Sequence, residues 1–149
     1  MTLIEGSIVI AAPVEEVFAY ASDWKHWSEW FQGVSDFKPV TEIQCGNGAR
    51  YSYRAKLLGI PAQVETEITE FRENQGWKGL GRGAVPHTTY WLFESIGTGT
   101  RFTYAQEYRV PPPLIGAILD KLFVRDQWRK MIDASLTNLQ RHFQARAPV

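Results

Sequence analysis

Two arginines, Arg125 and Arg129, interrupt an apolar stripe in the last third of the chain. The pattern predicts one long helix from residue 111, where three prolines begin, to about residue 146. At about 100° per residue, the same stripe carries Leu114, Ile118, Leu122, Ile132, Leu136, Leu139 and Phe143. Two guanidinium groups there offer fixed, forked donors for a carboxylate or phosphate. Two alternatives stay open: a kink near Val124 exposes both side chains, or both pair with Glu107 or another sheet carboxylate.

His87 is the single candidate for acid–base chemistry. It follows Pro86 at the start of a predicted strand, and an imidazole changes charge near neutral pH. The alternative is an ordinary surface or core histidine, which is also our interpretation of His26 and His142. The three histidines match no metal-ligand spacing. Cys45 is the only cysteine, so no internal disulfide and no cysteine-based zinc site are expected.

A glycine-rich segment, residues 79–83, does not match a nucleotide-binding loop. It follows a predicted strand instead of opening a helix, and it lacks the lysine and the serine or threonine of a phosphate loop. A Gly-x-Ser-x-Gly nucleophile motif is also absent from the sequence. The segment therefore predicts a bent strand or a close backbone approach, and neither a cofactor nor a metal is expected.

Three tryptophans recur every third residue at Trp24, Trp27 and Trp30, and Phe31 follows directly. A short helix with Asp23 as its N-cap is predicted here. We interpret Trp30 and Phe31 as core or cavity-wall residues. Trp24 and Trp27, if they lie at the surface, form an apolar lip for ligand access or membrane contact.

The composition excludes several classes of partner. Lys plus Arg and Asp plus Glu are both 16, so the formal net charge is zero and no broad field attracts nucleic acid or acidic membranes. No stretch approaches the ~20 apolar residues of a transmembrane helix, and residues 1–5 do not begin a secretory signal. We therefore expect one domain over residues 1–149, cytoplasmic and without a nucleic-acid partner.

The remaining periodicities predict an α+β chain with an antiparallel sheet. A first strand, in which Ile4, Ile8 and Ile10 alternate with polar residues, precedes two short helices over residues 14–21 and 24–31. About six further strands follow, with turns at residues 45–48, 59, 74–76 and 97–100. The long helix ends the chain.

Alternation within the strands directs a set of aromatic side chains to one face. These are Tyr51, Tyr53, Trp77, Trp91, Phe93, Tyr104 and Tyr108. Both faces are apolar around residue 91, where we place Trp91 and Phe93 inward in preference to Tyr90 and Leu92. Inward rings with hydroxyl groups suit a pocket for a ring system with a few oxygens. Ordinary packing, with each hydroxyl satisfied by a neighbour, is the alternative.

Several segments resemble the SRPBCC superfamily, which includes START domains, birch-pollen-allergen-like proteins and polyketide cyclase/dehydrase-like proteins. Residues 8–18 and 23–30 resemble its opening, residues 99–102 its glycine–threonine hairpin, and residues 119–125 and 134–139 its terminal helix. The resemblance covers nearly the whole chain. It implies a helix-grip fold, in which a curved antiparallel sheet of about six to seven strands wraps around one long C-terminal helix.

The helix-grip fold implies a ligand cavity between the sheet and the terminal helix. Its expected lining is Trp30, Phe31, Tyr51, Tyr53, Trp77, Trp91, Phe93, Tyr104, Tyr108, Leu122, Arg125 and Arg129. The first hypothesis is binding of a hydrophobic or amphipathic small molecule such as a lipid, quinone or polyketide, with or without transient membrane contact. The second is a polyketide cyclase/dehydrase-like enzyme in which a tyrosine or His87 moves protons. The third is a protein-interaction module, a homodimer included.

Overall fold

One antiparallel sheet is the framework of the structure, a computed structural model that describes residues 2–57, 60–83, 86–109 and 125–146. The elements are β1 (Thr2–Ile10), α1 (Val14–Ala21), α2 (Trp24–Trp30), β2 (Val34–Pro39), β3 (Arg50–Leu57), β4 (Ile60–Arg72), β5 (Gly76–Arg82), β6 (His87–Ile96), β7 (Gly99–Tyr108) and α3 (Arg125–Arg146). The seven strands lie in the order β1-β7-β6-β5-β4-β3-β2. The predicted α+β helix-grip fold is confirmed.

Period-two alternation gives the sheet one buried face, here called the inner face. On β7, Phe102 and Tyr104 are buried, whereas Arg101 between the turn and Phe102 is exposed. On β6, Trp91 and Phe93 are each 3% exposed, whereas Leu92 is 47% exposed. The predicted orientation of β6 is therefore confirmed, because a strand sends successive side chains to opposite faces.

The two short helices cover one end of the inner face. Pro13 precedes α1, a position where its missing N–H costs nothing. The side chain of Asp23 accepts a hydrogen bond from the backbone N–H of Lys25 at 3.0 Å, so it is the N-cap predicted for α2. Trp27 and Trp30 are buried beneath α2 and join the hydrophobic core.

Helix α3 covers the inner face with an apolar stripe. Its buried residues are Trp128, Ile132, Ser135, Leu136, Leu139 and Phe143. The helix approaches β1 closely at Gly6, where a Cβ atom would lie 2.9 Å from Cδ1 of Leu136. A larger residue at this position would force the Leu136 side chain to move, so glycine lets α3 pack closely on β1.

The first part of the predicted terminal helix, residues 111–124, lies outside the described residues. The same holds for the predicted turn at residue 59. Among the helices of the described ranges, none is long and apolar enough to cross a bilayer.

A part-buried hydrogen bond joins α3 to the segment after α2. The backbone N–H of Gln32 donates to Oγ of Ser135 at 2.9 Å, and Ser135 is 0% exposed. Ser135→Ala leaves this amide without its partner, so we expect the free energy of unfolding to fall by about 1–3 kcal/mol. Urea denaturation measures the change. Thr137→Ala, at an exposed position of the same helix, should change it by less than about 0.5 kcal/mol; equal effects would contradict this assignment.

Candidate ligand-binding cavity

A cavity of about 70 Å³ lies between the inner face of the sheet and helices α2 and α3. Its lining residues are Trp27, Phe31, Val34, Phe37, Tyr53, Ala55, Val64, Thr66, Trp77, His87, Thr89, Trp91, Tyr104, Gln106, Trp128 and Met131. Strands β2 to β7 and both flanking helices contribute to it. The predicted location between sheet and terminal helix is therefore observed for the described part of that helix.

Aromatic rings form most of the cavity wall. The centroid of Trp91 lies 4.1 Å from that of Trp77 and 5.8 Å from that of Phe31. Trp27 packs edge-on against Trp91 at 6.1 Å, and Phe37 lies 5.3 Å from Tyr53. Such tilted and edge-to-face arrangements are the favourable ones for aromatic pairs. They give a rigid, apolar wall.

Three polar side chains gather at one end of the cavity, and we call Tyr53, Thr66 and His87 the polar cluster. The Tyr53 hydroxyl lies 3.3 Å from Nε2 of His87, and the imidazole tautomer sets which group donates. Tyr53 also shares a hydrogen bond with the side chain of Thr66. The Trp128 ring of α3 meets the imidazole edge-on at 5.6 Å. Helix α3 therefore covers the polar cluster.

Other polar groups of the lining differ in whether they have a hydrogen-bond partner. The hydroxyl of Tyr104 donates to Oε1 of Gln106 at 3.2 Å, and both residues are buried. The indole N–H of Trp91 is buried without a hydrogen-bond partner in the part of the chain that the structure describes. An unpaired buried donor is costly, so this group would gain from an acceptor on a bound molecule.

The described lining contains no Asp, Glu, Lys or Arg. His87 contributes the one imidazole of the described lining. The described residues also contain no group of three His, Cys, Asp or Glu side chains arranged to hold a metal ion. A charged ligand would therefore find no counter-charge among the described lining residues, which is unfavourable in a low-dielectric interior.

Burial also keeps the tyrosines of the inner face neutral. Removal from water raises the pKa of Tyr53 to about 12, although its hydrogen bond with Thr66 partly opposes the shift. Burial likewise raises the pKa values of Tyr104 and Tyr51 well above the ordinary tyrosine value. At physiological pH these hydroxyls act as neutral hydrogen-bonding groups.

The structure brings some of the predicted cavity residues together. Phe31, Tyr53, Trp77, Trp91 and Tyr104 line the cavity. Four other predicted residues are buried but do not line it: Trp30, Tyr51, Phe93 and Tyr108. Trp30 and Tyr51 pack in the core at α2, and the Tyr51 hydroxyl donates to the carbonyl of Gln44. Phe93 stacks on Phe102, and Tyr108 lies against Trp128. The predicted candidate base His87 is a lining residue.

The structure corrects the inward orientation predicted for Arg125 and Arg129. Both side chains are exposed, and neither lines the cavity. Arg125 is the first described residue of α3, and Arg129 lies beside the buried stripe because Trp128 occupies the inward position. Solvent exposure avoids the cost of desolvating two guanidinium groups. Leu122, also predicted in the lining, lies outside the described residues.

The predicted tryptophan lip is also corrected. Trp27 is 3% exposed, and its indole N–H donates to the carbonyl of Ala21 at 2.8 Å. Residues three apart on α2 share one face, so Trp27 and Trp30 are covered together. Trp24 alone remains partly exposed. Cys45 is exposed, as its predicted turn position implied.

Sequence reasoning missed the remaining lining residues, which are Trp27, Val34, Phe37, Ala55, Val64, Thr66, Thr89, Gln106, Trp128 and Met131. Thr66 and Gln106 could have been identified from the sequence, because each is a polar residue at an inward-facing position of an alternating strand. Trp128 lies four residues before Ile132 and was therefore detectable as part of the helical stripe.

Comparison with known proteins fixes the family. Residues 1–144 match the family model described as Polyketide cyclase / dehydrase and lipid transport. The chain belongs to this family. The SRPBCC resemblance drawn from the sequence is thereby confirmed, and hydrophobic-ligand binding or a cyclase-like role is what the family and the fold support.

Solved structures share the fold of this family member at low sequence identity. The protein TTHA0849 from Thermus thermophilus superimposes with a TM-score of 0.81 at 21% identity, over 99% of this chain and 100% of that one. A START superfamily protein from Mycobacterium smegmatis gives a TM-score of 0.73 at 12% identity, over 97% and 99% of the two chains. At these identities the likeness concerns the fold alone.

A curated relative extends the comparison in sequence. The uncharacterized protein Rv0088 of Mycobacterium tuberculosis is 27% identical over 110 residues, which are 70% of this chain and 47% of that protein. The chain therefore spans about half the length of the curated relatives that it matches.

The raised tyrosine pKa predicts a stability loss at alkaline pH. Because the pKa of Tyr53 is about 12 in the folded protein and about 10 in the unfolded chain, the folded state holds more protons between these values. The free energy of unfolding should therefore fall as pH rises from about 10 to about 12. Urea denaturation across this range measures the slope, and Tyr53→Phe should make it shallower. Equal slopes for the wild-type protein and Tyr53→Phe would contradict the enclosed hydroxyl.

Proposed function

We propose that the protein binds an uncharged, hydrophobic small molecule in the cavity between the sheet and α3. The observation that carries this proposal is a cavity walled by aromatic rings whose described lining has no acidic or basic side chain apart from His87. Removal of apolar ligand surface from water drives binding, and a few polar groups orient the ligand.

The size of the cavity favours a compact ring system over a long acyl chain. Its volume is about 70 Å³, whereas benzene occupies an apolar cavity of about 150 Å³ and drug-sized ligands occupy sites of roughly 300–1,000 Å³. A ring ligand must therefore widen the cavity by side-chain movement, and a long acyl chain would have to widen it further. Burial of about 200 Å² of apolar ligand surface would contribute ~5 kcal/mol before ordering costs. The apolar surface of a one- or two-ring ligand therefore supports a dissociation constant of about 0.2 mM at best, and ordering costs weaken binding further.

Naphthalene and 2-naphthoate test the preference for an uncharged ligand, because they share the ring system and differ by one carboxylate. Naphthalene should bind at least about tenfold more tightly, since the carboxylate finds no basic partner in the described lining. Titration followed by NMR gives both dissociation constants. Tighter binding of 2-naphthoate would contradict the proposal.

A cavity-filling substitution tests the location. Ala55 lines the cavity, so Ala55→Phe should place a ring in the ligand volume and weaken naphthalene binding at least about tenfold. Ala105→Phe is the matched control, because Ala105 lies on β7 between the inward residues Tyr104 and Gln106 and points to the outer face. Equal affinities of the two variants would place the ligand elsewhere.

The contact between His87 and Tyr53 favours a second candidate, an acid–base enzyme of the cyclase/dehydrase type. Nε2 of His87 would take a proton from the carbon beside a ligand carbonyl, and the Tyr53 hydroxyl would donate a hydrogen bond to the resulting enolate oxygen. Return of a proton from the imidazole to carbon restores the ketone and leaves both residues unchanged.

Deuterium exchange into 2-tetralone, an uncharged two-ring ketone, tests this second candidate. The wild-type protein in D₂O should exchange the protons beside the carbonyl faster than buffer alone, as followed by proton NMR. His87→Phe should reduce the rate to that of buffer while 2-tetralone still binds, because the apolar wall is unchanged. Exchange at the buffer rate in the presence of bound 2-tetralone would exclude His87 as a base for such ketones.

A further inference from the structure

Strand β5 presents two glycines to the cavity, Gly79 and Gly81. A Cβ atom on Gly81 would lie 2.2 Å from Nε2 of His87, a separation at which the atoms overlap. A Cβ atom on Gly79 would lie 3.2 Å from Cζ3 of Trp77, which is tight but tolerable with a small shift. The imidazole therefore rests directly on the backbone of Gly81, and a side chain there must displace it.

Gly81 allows His87 to reach across the sheet. In the strand register Gly81 pairs with His87 of β6 on one side and with Thr66 of β4 on the other. The imidazole lies over this row, and its Nε2 atom meets the hydroxyl of Tyr53, which comes from β3. The polar cluster thus consists of residues from β3, β4 and β6. The intervening strand β5 has no side chain at Gly81, which leaves room for the imidazole.

The polar cluster is the part of the cavity best suited to receive an oxygen atom. The Tyr104 hydroxyl, another polar group of the lining, is already directed at Gln106. The neighbouring wall consists of indole and phenyl rings, whose faces do not replace the hydrogen bonds that water gives to an oxygen. The buried N–H of Trp91 is a further donor without a partner among the described residues.

We propose, on the basis of the ligand-binding function proposed above, that the ligand is an uncharged ring compound with a hydroxyl or carbonyl oxygen. Its oxygen binds at the polar cluster, and its ring lies against the aromatic wall. Gly81 is the positioning residue of this subsite, because it gives the imidazole of His87 its place beside Tyr53.

Phenol and benzene test the oxygen subsite, because they differ by one hydroxyl group. Transfer from water into a purely apolar cavity disfavours the hydroxyl group. A preference for phenol therefore reports a hydrogen bond made inside the cavity. We expect the wild-type protein to bind phenol about tenfold more tightly than benzene in NMR titrations. The imidazole signals of His87 should shift with phenol and not with benzene.

Gly81→Ala should reduce the preference for phenol to about one or less, because the added methyl group displaces the imidazole from Tyr53. Gly79→Ala is the matched control. It adds the same methyl group two residues away on the same face of β5, against Trp77. It should change the affinities for phenol and benzene in the same proportion and leave their ratio unaltered.

His87→Ser supplies a second variant that removes the imidazole and leaves β5 untouched. It should also lose the preference for phenol. In this background Gly81→Ala should leave the phenol-to-benzene ratio unchanged, because the group that it displaces is gone. The double variant relieves the overlap, so it should unfold at a higher temperature than Gly81→Ala alone.

The outcomes separate the subsite from the binding function. Equal affinity of the wild-type protein for phenol and benzene, or an unaltered ratio in His87→Ser, would overturn the subsite and leave an apolar binding cavity in place. An unaltered ratio in folded Gly81→Ala would overturn the role of Gly81. Failure of the wild-type protein to bind phenol, benzene and naphthalene would instead contradict the proposed function, and the subsite with it.

Discussion

The fold is constrained by the apolar inner face of its seven-stranded sheet, which a chain of 149 residues must remove from water. Aromatic side chains meet this need because each buries a large apolar area on a stiff side chain. Trp91 on β6 is the centre of the arrangement, with Trp77 at 4.1 Å and Trp30 of α2 at 5.3 Å. The cavity lies against Trp91 and Trp77, so residues that cover the inner face also form the site where we propose that a ligand binds.

Exclusion of charge from this interior determines what the cavity can hold. Arg125 and Arg129 remain in water, and the polar side chains of the described lining are hydroxyls, an amide, an indole N–H and one imidazole. In such surroundings a hydrogen bond is stronger, and an unpaired polar group is more costly, than at the surface. Tyr53 and His87 of the polar cluster lie within hydrogen-bond distance of each other. The proposed ligand oxygen would bind to these same atoms, so a few groups in fixed positions would give selectivity.

The sequence was sufficient for the architecture and for much of the aromatic wall. Strand alternation placed Trp91 inward, the N-cap at Asp23 placed α2, and the SRPBCC resemblance supplied the topology. It was not sufficient where a side chain's environment depends on a distant element. The helical period places Arg129 close to the inward-facing side of α3. Its neighbour Trp128 is the residue that is buried against the sheet, and Arg129 is exposed as a result. The space that Gly81 opens for His87 depends on strand register, which no local pattern encodes.

The most direct test of the central claim is mass spectrometry of the protein purified from its own host, first native and then after organic extraction. Native spectra report the mass of any bound molecule, and the extract gives its composition. We expect one reproducible, uncharged ring compound that carries at least one oxygen, bound one to one. A fatty acid, a phospholipid or another anionic molecule enclosed in the cavity would contradict it.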